Sequence, residues 1–194
     1  MNETYRKQEY AQRILCFADL LRREEKNGFG IIETPGNTYW IKFDRGLADY
    51  SRELDLTSLA DAHLKKQQQI TVADIGCGKG NALLDFKRRY GARVHAIGFD
   101  LARLSSHAHI DDFVEGNFET IPIPNELLGS CQVVISANTF AYFLNPKSAL
   151  QKAATLLANS GHAYIDTSGC AITCFDTPAC LRPISGFLSQ KRTQ

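Results

Sequence analysis

Val72-Ala73-Asp74-Ile75-Gly76-Cys77-Gly78-Lys79-Gly80-Asn81 reads as a buried strand ending on an acid, a turn with glycine at every second position, and the start of a helix. Glycine lacks a Cβ, so such a turn can take positive φ and let a ligand lie against the main chain. A second acid, Asp100, stands about 20 residues beyond Gly80 at the end of another apolar run. A carboxylate there can accept hydrogen bonds from both hydroxyls of a ribose. Turn and acid together point to a bound nucleoside cofactor. The bland alternative is a strand-to-helix turn that binds nothing, and the coincidence of strand, glycines and later acid speaks against it.

On either side of this stretch the order is strand, helix, strand, helix. Ile70–Asp74 is the first core strand, and Ala82, Leu83, Phe86 and Tyr90 mark the inner face of the helix that follows. Val94–Phe99 is a second strand, and Leu101–His109 leaves room only for a short helix. Asp112–Glu115 and Gln132–Ser136 are the third and fourth strands. Asn145 and Pro146 cap a helix whose inner residues are Ala149, Leu150, Ala153, Ala154 and Leu157. Asn159-Ser160-Gly161 ends it, and His162–Thr167 is a fifth strand. This alternation predicts an α/β fold, a doubly wound, mainly parallel sheet flanked by helices.

Residues 1–69 read as a helical and hairpin cap, and 70–194 as the core. Tyr5–Lys26 is helical, with Ala11, Ile14, Leu15, Ala18 and Leu21 on one face and a Glu9–Arg13 pair on the wet side. This helix either covers the core or binds a partner. Phe29–Glu33 and Thr38–Phe43 flank Thr34-Pro35-Gly36-Asn37, which fits a type II turn. Helices are expected around Leu47–Leu54 and Leu56–Lys66.

Composition narrows the function classes. The chain has 194 residues, enough for one core, and a net charge of +1 advertises no nucleic-acid or lipid partner, although a local basic patch stays open. The first residues carry mixed charge rather than a secretory pattern, and no apolar run has bilayer length, so a cytoplasmic location is expected. Cys16, Cys77, Cys131, Cys170, Cys174 and Cys180 include no C-x-x-C pair, so reduced thiols and no metal are expected. His107 and His109 fall in what reads as a solvated loop, and neither is assigned as a base.

The glycine spacing selects the cofactor. A dinucleotide fingerprint fails, because its sixth position is Asn81 or Leu83 rather than glycine. Asp-x-Gly-x-Gly-x-Gly fits from Asp74 to Gly80. This resembles the first motif of class I S-adenosylmethionine (AdoMet)-dependent methyltransferases, and the likeness extends over roughly residues 70–167. The resemblance implies a Rossmann-like fold with AdoMet as cofactor. It places Gly76, Cys77 and Gly78 under the amino-acid part, with Asp74 orienting the loop. It places Asp100 on the ribose and Leu101 beside the adenine. The family's next element is matched by Gly116-Asn117-Phe118 ahead of Ile121-Pro122, with Asn117 in place of the usual Asp. Asn117 would read the adenine edge through its amide. Phe118 either covers the adenine face or is a core aromatic. The exit of the fourth strand offers Asn138 near the cofactor, and Asn138 and Tyr142 as acceptor-side candidates; packing is an equal reading of Tyr142. No catalytic residue is named.

The same resemblance sorts acceptors. Base amino-group methylation uses prolines after the fourth strand, where this chain has Asn138-Thr139-Phe140, and cytosine C5 methylation needs a Cys there. A small-molecule acceptor is therefore expected, with no nucleic acid and no membrane. The N-terminal helix and hairpin are expected to form its lid, with Tyr39, Trp40, Arg45 and Tyr50 as candidates to line it. Against the family pattern the residues after the fifth strand are few, so the core reads as C-terminally shortened. That leaves open an AdoMet-binding but catalytically degenerate regulatory or scaffold protein, and an exposed sheet edge that could pair as a homodimer. Gly78→Val is expected to fold yet exclude the cofactor.

Overall fold

A computed structural model describes residues 3–34, 37–50 and 55–166. Helix α1 (Glu3–Arg23) leads into a hairpin of β1 (Phe29–Thr34) and β2 (Asn37–Lys42). Two short helices follow, α2 (Leu47–Tyr50) and α3 (Leu56–Leu64). Then come β3 (Ile70–Ile75), α4 (Asn81–Tyr90), β4 (Val94–Asp100), β5 (Asp112–Glu115), β6 (Cys131–Ser136), α5 (Pro146–Ala154) and β7 (Leu157–Ile165). The hairpin turn residues Pro35 and Gly36, the segment 51–54, and Thr167 with Cys170, Cys174 and Cys180 lie outside the described residues.

Five strands form one parallel sheet in the order β5-β4-β3-β6-β7. The chain starts at the centre, winds outward through β4 and β5, then returns to the other side of β3 with β6. The order therefore reverses between β3 and β6, and ligands of open α/β sheets bind beyond the carboxyl ends of the strands at such a switch point. Asp74 pairs in register with Gly98 and Ile135, and Asp100 with Glu115, so these strand ends emerge side by side.

Alternation along the strands divides the core into two layers. Ile70, Val72, Val94, Ala96, Val133 and Ile135 face α2, α3 and α4, and meet Tyr50, Leu56, Ala60, Leu83 and Phe86. Ala73, Ile75, Ile97, Phe99 and Val134 face the opposite way, toward Phe118, Phe140, Ala149, Ala153 and Leu156. Strands buried on both faces read as unbroken apolar runs, and this made them visible in the sequence. Asp55 caps α3 by accepting from the amides of Thr57 and Ser58, and Asn145 caps α5 by accepting from Ser148, with Pro146 in the first turn.

Three local expectations need correction. First, α5 stops at Ala154, and β7 begins at Leu157, so Asn159-Ser160-Gly161 is strand rather than a helix stop. A register shift between Cys131 and Val133 absorbs this segment, and a Cβ on Gly161 would lie 2.6 Å from the Cys131 carbonyl. Second, α1 buries Tyr10, Phe17, Leu20 and Leu21, while Leu15 stands 65% exposed. The two aromatics claim the inner face and rotate the helix away from the aliphatic stripe. Third, Arg13 does not stay on the wet side. Its guanidinium donates to the Tyr142 carbonyl at 3.1 Å and lies over the rings of Tyr10 and Tyr39. Among the described residues no helix is long and apolar enough to cross a membrane.

Candidate cofactor site

The turn between β3 and α4 is built by glycines in the left-handed region. Gly76, Gly78 and Gly80 have φ of 74°, 55° and 75°. The Gly76 and Cys77 amides both donate to the Phe99 carbonyl, at 2.8 and 3.1 Å. The Gly78 amide donates to Asp100 Oδ2 at 2.6 Å. The Lys79 amide donates to the Phe43 carbonyl at 2.6 Å, and the Gly80 amide to the Cys77 carbonyl at 2.8 Å.

What crowds the bare faces of these glycines differs from the sequence reading. A Cβ on Gly76 would strike the Thr139 side chain. One on Gly78 would strike the Phe43 main chain, and one on Gly80 would lie 2.9 Å from His109 Nε2. At all three positions the close approach is by this chain itself. Gly78→Val would therefore force apart the turn and the segment after β2, so the expectation of an intact fold is withdrawn.

Asp100, half-buried at the tip of β4, sits on the edge of a cleft. Its Oδ1 accepts the Leu101 amide at 2.7 Å and its Oδ2 the Gly78 amide. Burial pushes its pKa up to about 6, and the two amides pull it back down. Each carboxylate oxygen can accept more than one hydrogen bond, so capacity remains for two hydroxyls. Asp74 is wholly buried, and Tyr50 Oη donates to its oxygens at 3.1 and 3.2 Å. Burial raises the Asp74 pKa to about 8, the Tyr50 hydrogen bond lowers it, and the Asp100 charge raises it. Burial thus favours the neutral acid, and Asp74 braces the strand end rather than facing the cleft. Cys77 is buried, and burial pushes its thiol well above the usual range, which keeps it an inert packing residue.

The cleft joins Gly76, Cys77, Gly78, Asp100, Leu101, Asn117, Phe118, Asn138 and Tyr142. Of the residues the sequence assigned to the cofactor, all but Asp74 line it. Arg45 and Tyr50 line it as well. Tyr39 instead packs edge-on against Phe17 and Tyr142, with ring centres 5.9 and 6.1 Å away, and the Trp40 side chain lies outside the described residues. Phe118 satisfies both of its readings. It is 4% exposed and packs against Phe99 at 5.3 Å, yet one side borders the cleft. Asn138, at the exit of β6, has φ of 58°, the only positive φ among the described non-glycine residues. Asparagine tolerates this region better than most side chains.

Sequence reasoning placed a lid of N-terminal helix and hairpin here but missed the aromatic residues and the braces that fasten it. Ile14, Phe17, Leu20 and Leu21 of α1 close the cleft from above. Tyr10 ties α1 to the site: its hydroxyl donates to Glu119, and it receives the Asn117 amide at 3.2 Å. Glu119 also accepts the amides of Leu144 and Asn145, at 2.9 and 2.6 Å, and so joins α1 to the loop after β6. His107 is the clearest correction. It is 1% exposed and bonds the Gly78 carbonyl at 2.6 Å, where a solvated loop was expected. Its ring packs on Phe113 with centres 4.5 Å apart, a contact between a short turn and β5 that no sequence period encodes.

Residues 73–165 match a family described as a methyltransferase domain. No curated protein matches the sequence. Among solved structures the chain is similar to an arsenic(III) S-adenosylmethionine methyltransferase from Chlamydomonas reinhardtii, at 18% identity over 56% of this chain and 46% of that one, with a TM-score of 0.41. It is also similar to the YcgJ protein from Bacillus subtilis, at 19% identity over 56% and 50%, with a TM-score of 0.39. A third is coclaurine N-methyltransferase bound to N-methylheliamine and S-adenosylhomocysteine, at 15% identity over 56% and 34%, with a TM-score of 0.43. The chain thus spans half or less of the length of these structures. The matched residues run from the acid-tipped strand through the glycine turn, Asp100 and Asn117 to the last strand of the sheet, and over this stretch the chain is similar to a methyltransferase domain.

Proposed function

We propose that the protein transfers a methyl group from AdoMet to a small-molecule acceptor. One observation carries the reading: the glycine turn, Asp100 and Asn117 open on a single cleft at the sheet's switch point, roofed by the apolar side of α1. The residues fit AdoMet in kind. Asp100 offers carboxylate oxygens for a ribose diol, Asn117 offers an amide for a base edge, and Leu101 and Phe118 give apolar walls. Bound AdoMet supplies an electrophilic methyl on a sulfonium sulfur.

The chain's own part is then to orient and to exclude water. Asp100 and Asn117 fix the nucleoside end. Phe17, Tyr142 and Phe143 shield the side toward α1, and Asn138 and Tyr142 stand where the acceptor would approach. A roofed cleft suits a small acceptor better than a nucleic-acid strand, which needs an open groove. Location in the cytoplasm, and a cap of residues 1–69 on a core of 70–194, are consistent parts of the same reading.

Calorimetric titration with AdoMet tests the cofactor. Turnover to S-adenosylhomocysteine with a panel of phenols, thiols, amines and carboxylates tests the chemistry. Saturable binding with turnover on at least one small acceptor is expected. Binding without turnover on any of them would overturn the transferase reading, and no heat on titration would overturn the cofactor.

A further inference from the structure

We propose that His107, supported by His109, is a positioning residue that fixes the cofactor turn in its binding shape; this rests on the reading of the cleft as an AdoMet site. The geometry defines what the ring does. The Leu104 amide donates to His107 Nδ1 at 3.2 Å, so Nδ1 carries no proton. Nε2 faces the Gly78 carbonyl at 2.6 Å, and a carbonyl only accepts, so Nε2 carries one. Both partners select one neutral tautomer. His109 repeats the contact one glycine on, with Nε2 2.8 Å from the Gly80 carbonyl.

Gly78 is thus held from two directions. Asp100 takes its amide hydrogen and His107 takes its carbonyl oxygen. Glycine with φ of 55° has no side chain to hold its own conformation, and its freedom is large. Fixing both flanking peptides removes that freedom before a ligand arrives, which lowers the ordering cost of binding. It also keeps the Gly78 amide on Asp100, so the carboxylate that would hold the ribose is aimed by the turn that the histidines fix.

The histidines are themselves anchored to the roof. They belong to a short 3₁₀ turn, Ser105–His109, whose Ser105 hydroxyl and Ser106 amide both donate to Glu25 Oε1 at 2.8 Å. Glu25 lies just beyond α1, and Leu104 packs with Leu21 and Phe43. One side-chain relay therefore runs from the end of α1 through Glu25 and His107 to the floor of the cleft.

The test compares His107→Leu, His107→Gln and His109→Leu with the wild type in AdoMet calorimetry. The tautomer of His107 is read in the unliganded wild type by imidazole ¹⁵N NMR. Leucine keeps the apolar bulk and loses the donor, whereas the glutamine amide can still donate to the Gly78 carbonyl. Expected results are at least tenfold weaker AdoMet binding for His107→Leu, recovery to within about threefold for His107→Gln, and a smaller loss for His109→Leu. The ¹⁵N spectrum should show an unprotonated Nδ1. A bulk-only role would make leucine the better substitute, and that ranking would overturn the proposal, as would a folded His107→Leu with unchanged affinity. Should His107→Leu not fold, glutamine and the NMR spectrum decide: weak binding by His107→Gln, or a protonated Nδ1, overturns it. Wild-type protein that gives no AdoMet heat would overturn the cofactor reading itself, which separates the two failures.

Discussion

The floor and the roof of the cleft are secured by different physics. The floor is main chain bonded to main chain and to buried side chains: the Gly76 and Cys77 amides on the Phe99 carbonyl, and Gly78 between Asp100 and His107. The roof is a helix with a thin apolar face, fastened at intervals. Tyr10 reaches Asn117 and Glu119, Arg13 reaches the Tyr142 carbonyl, Arg22 reaches Glu115, and Glu25 beyond it reaches Ser105 and Ser106. These ties end on the loops that follow strands of the sheet, except that of Arg22, which ends on the last residue of β5. The floor is continuous with the core, whereas the roof is held by separate side-chain ties and by the packing of Phe17, Leu20 and Leu21. The proposed methyl transfer would use both properties, a rigid seat for one substrate and a cover over two.

The largest test of this contrast is Gly78→Val. A β-branched residue at φ of 55° meets the Phe43 main chain. Left-handed backbone alone costs a non-glycine residue about 1–2 kcal/mol, and the collision adds to it. A loss of about 3 kcal/mol or more in urea unfolding is expected. Gly91→Ala is the matched control, with a similar φ of 60° and nothing within 4 Å of its Cβ. With ψ of −135° it should cost only the backbone preference, about 1–3 kcal/mol, with no collision added. Equal losses in the two variants would mean that the floor is no tighter than an ordinary helix end.

Asp100→Ala comes next. It removes the acceptor for the Gly78 and Leu101 amides and the expected ribose contact together. AdoMet affinity should fall at least tenfold, which corresponds to about 1.4 kcal/mol and sits at the low end for hydrogen bonds to a charged group. The pH dependence carries a sign. With the free-state pKa near 6, the carboxylate is ionised at pH 7.5 and half protonated at pH 6. Protonation takes up an acceptor site, so wild-type affinity should decline as pH falls below about 6 and stay flat above 7. Asp100→Ala should lose that decline. A tenfold drop with the wild-type pH profile retained would assign the titration to another group.

These results also explain what could be read in the sequence. Strands β3, β4 and β6 were legible because parallel strands buried on both faces are largely apolar runs, and Asp74 and Asp100 stand at or near the ends of two of them. The turn was legible because three glycines in alternate positions have few other uses. The braces were not legible. His107 sits 29 residues from Gly78, on a turn with no period of its own, and its contact exists only because β4 lies beside β3. The inner face of α1 failed for a related reason. Leu15 fits the aliphatic stripe, but Phe17 finds Tyr39 and Tyr142, and those partners come from the hairpin and from the loop after β6. The start of β7 was hidden because Asn159-Ser160-Gly161 has turn composition and is made strand by its pairing with β6.

A single lost hydroxyl is the sharpest test of the roof. In Tyr10→Phe the ring keeps its packing, and only the hydroxyl that bonds Glu119 and Asn117 is lost. Burial and the neighbouring Glu119 push the Tyr10 pKa up, so this hydroxyl is a neutral donor throughout the stable range of pH. Glu119 is not stranded by its removal, and Asn117 loses only the acceptor of its Nδ2. Glu119 still accepts from Leu144 and Asn145, and Asn117 Oδ1 still accepts the Glu119 amide at 3.0 Å. The cost should therefore be about 1–2 kcal/mol, the net worth of a hydrogen bond to a carboxylate without the penalty of an orphaned charge. Arg22→Ala removes a pair in which both side chains are about half exposed, at 55% and 47%, and should change stability by less than about 0.5 kcal/mol. If Tyr10→Phe instead unfolds the protein as severely as Gly78→Val, α1 is part of the core and not a cover fastened to it. Substrates would then have to enter from the side of the hairpin, past Ile41 and Arg45.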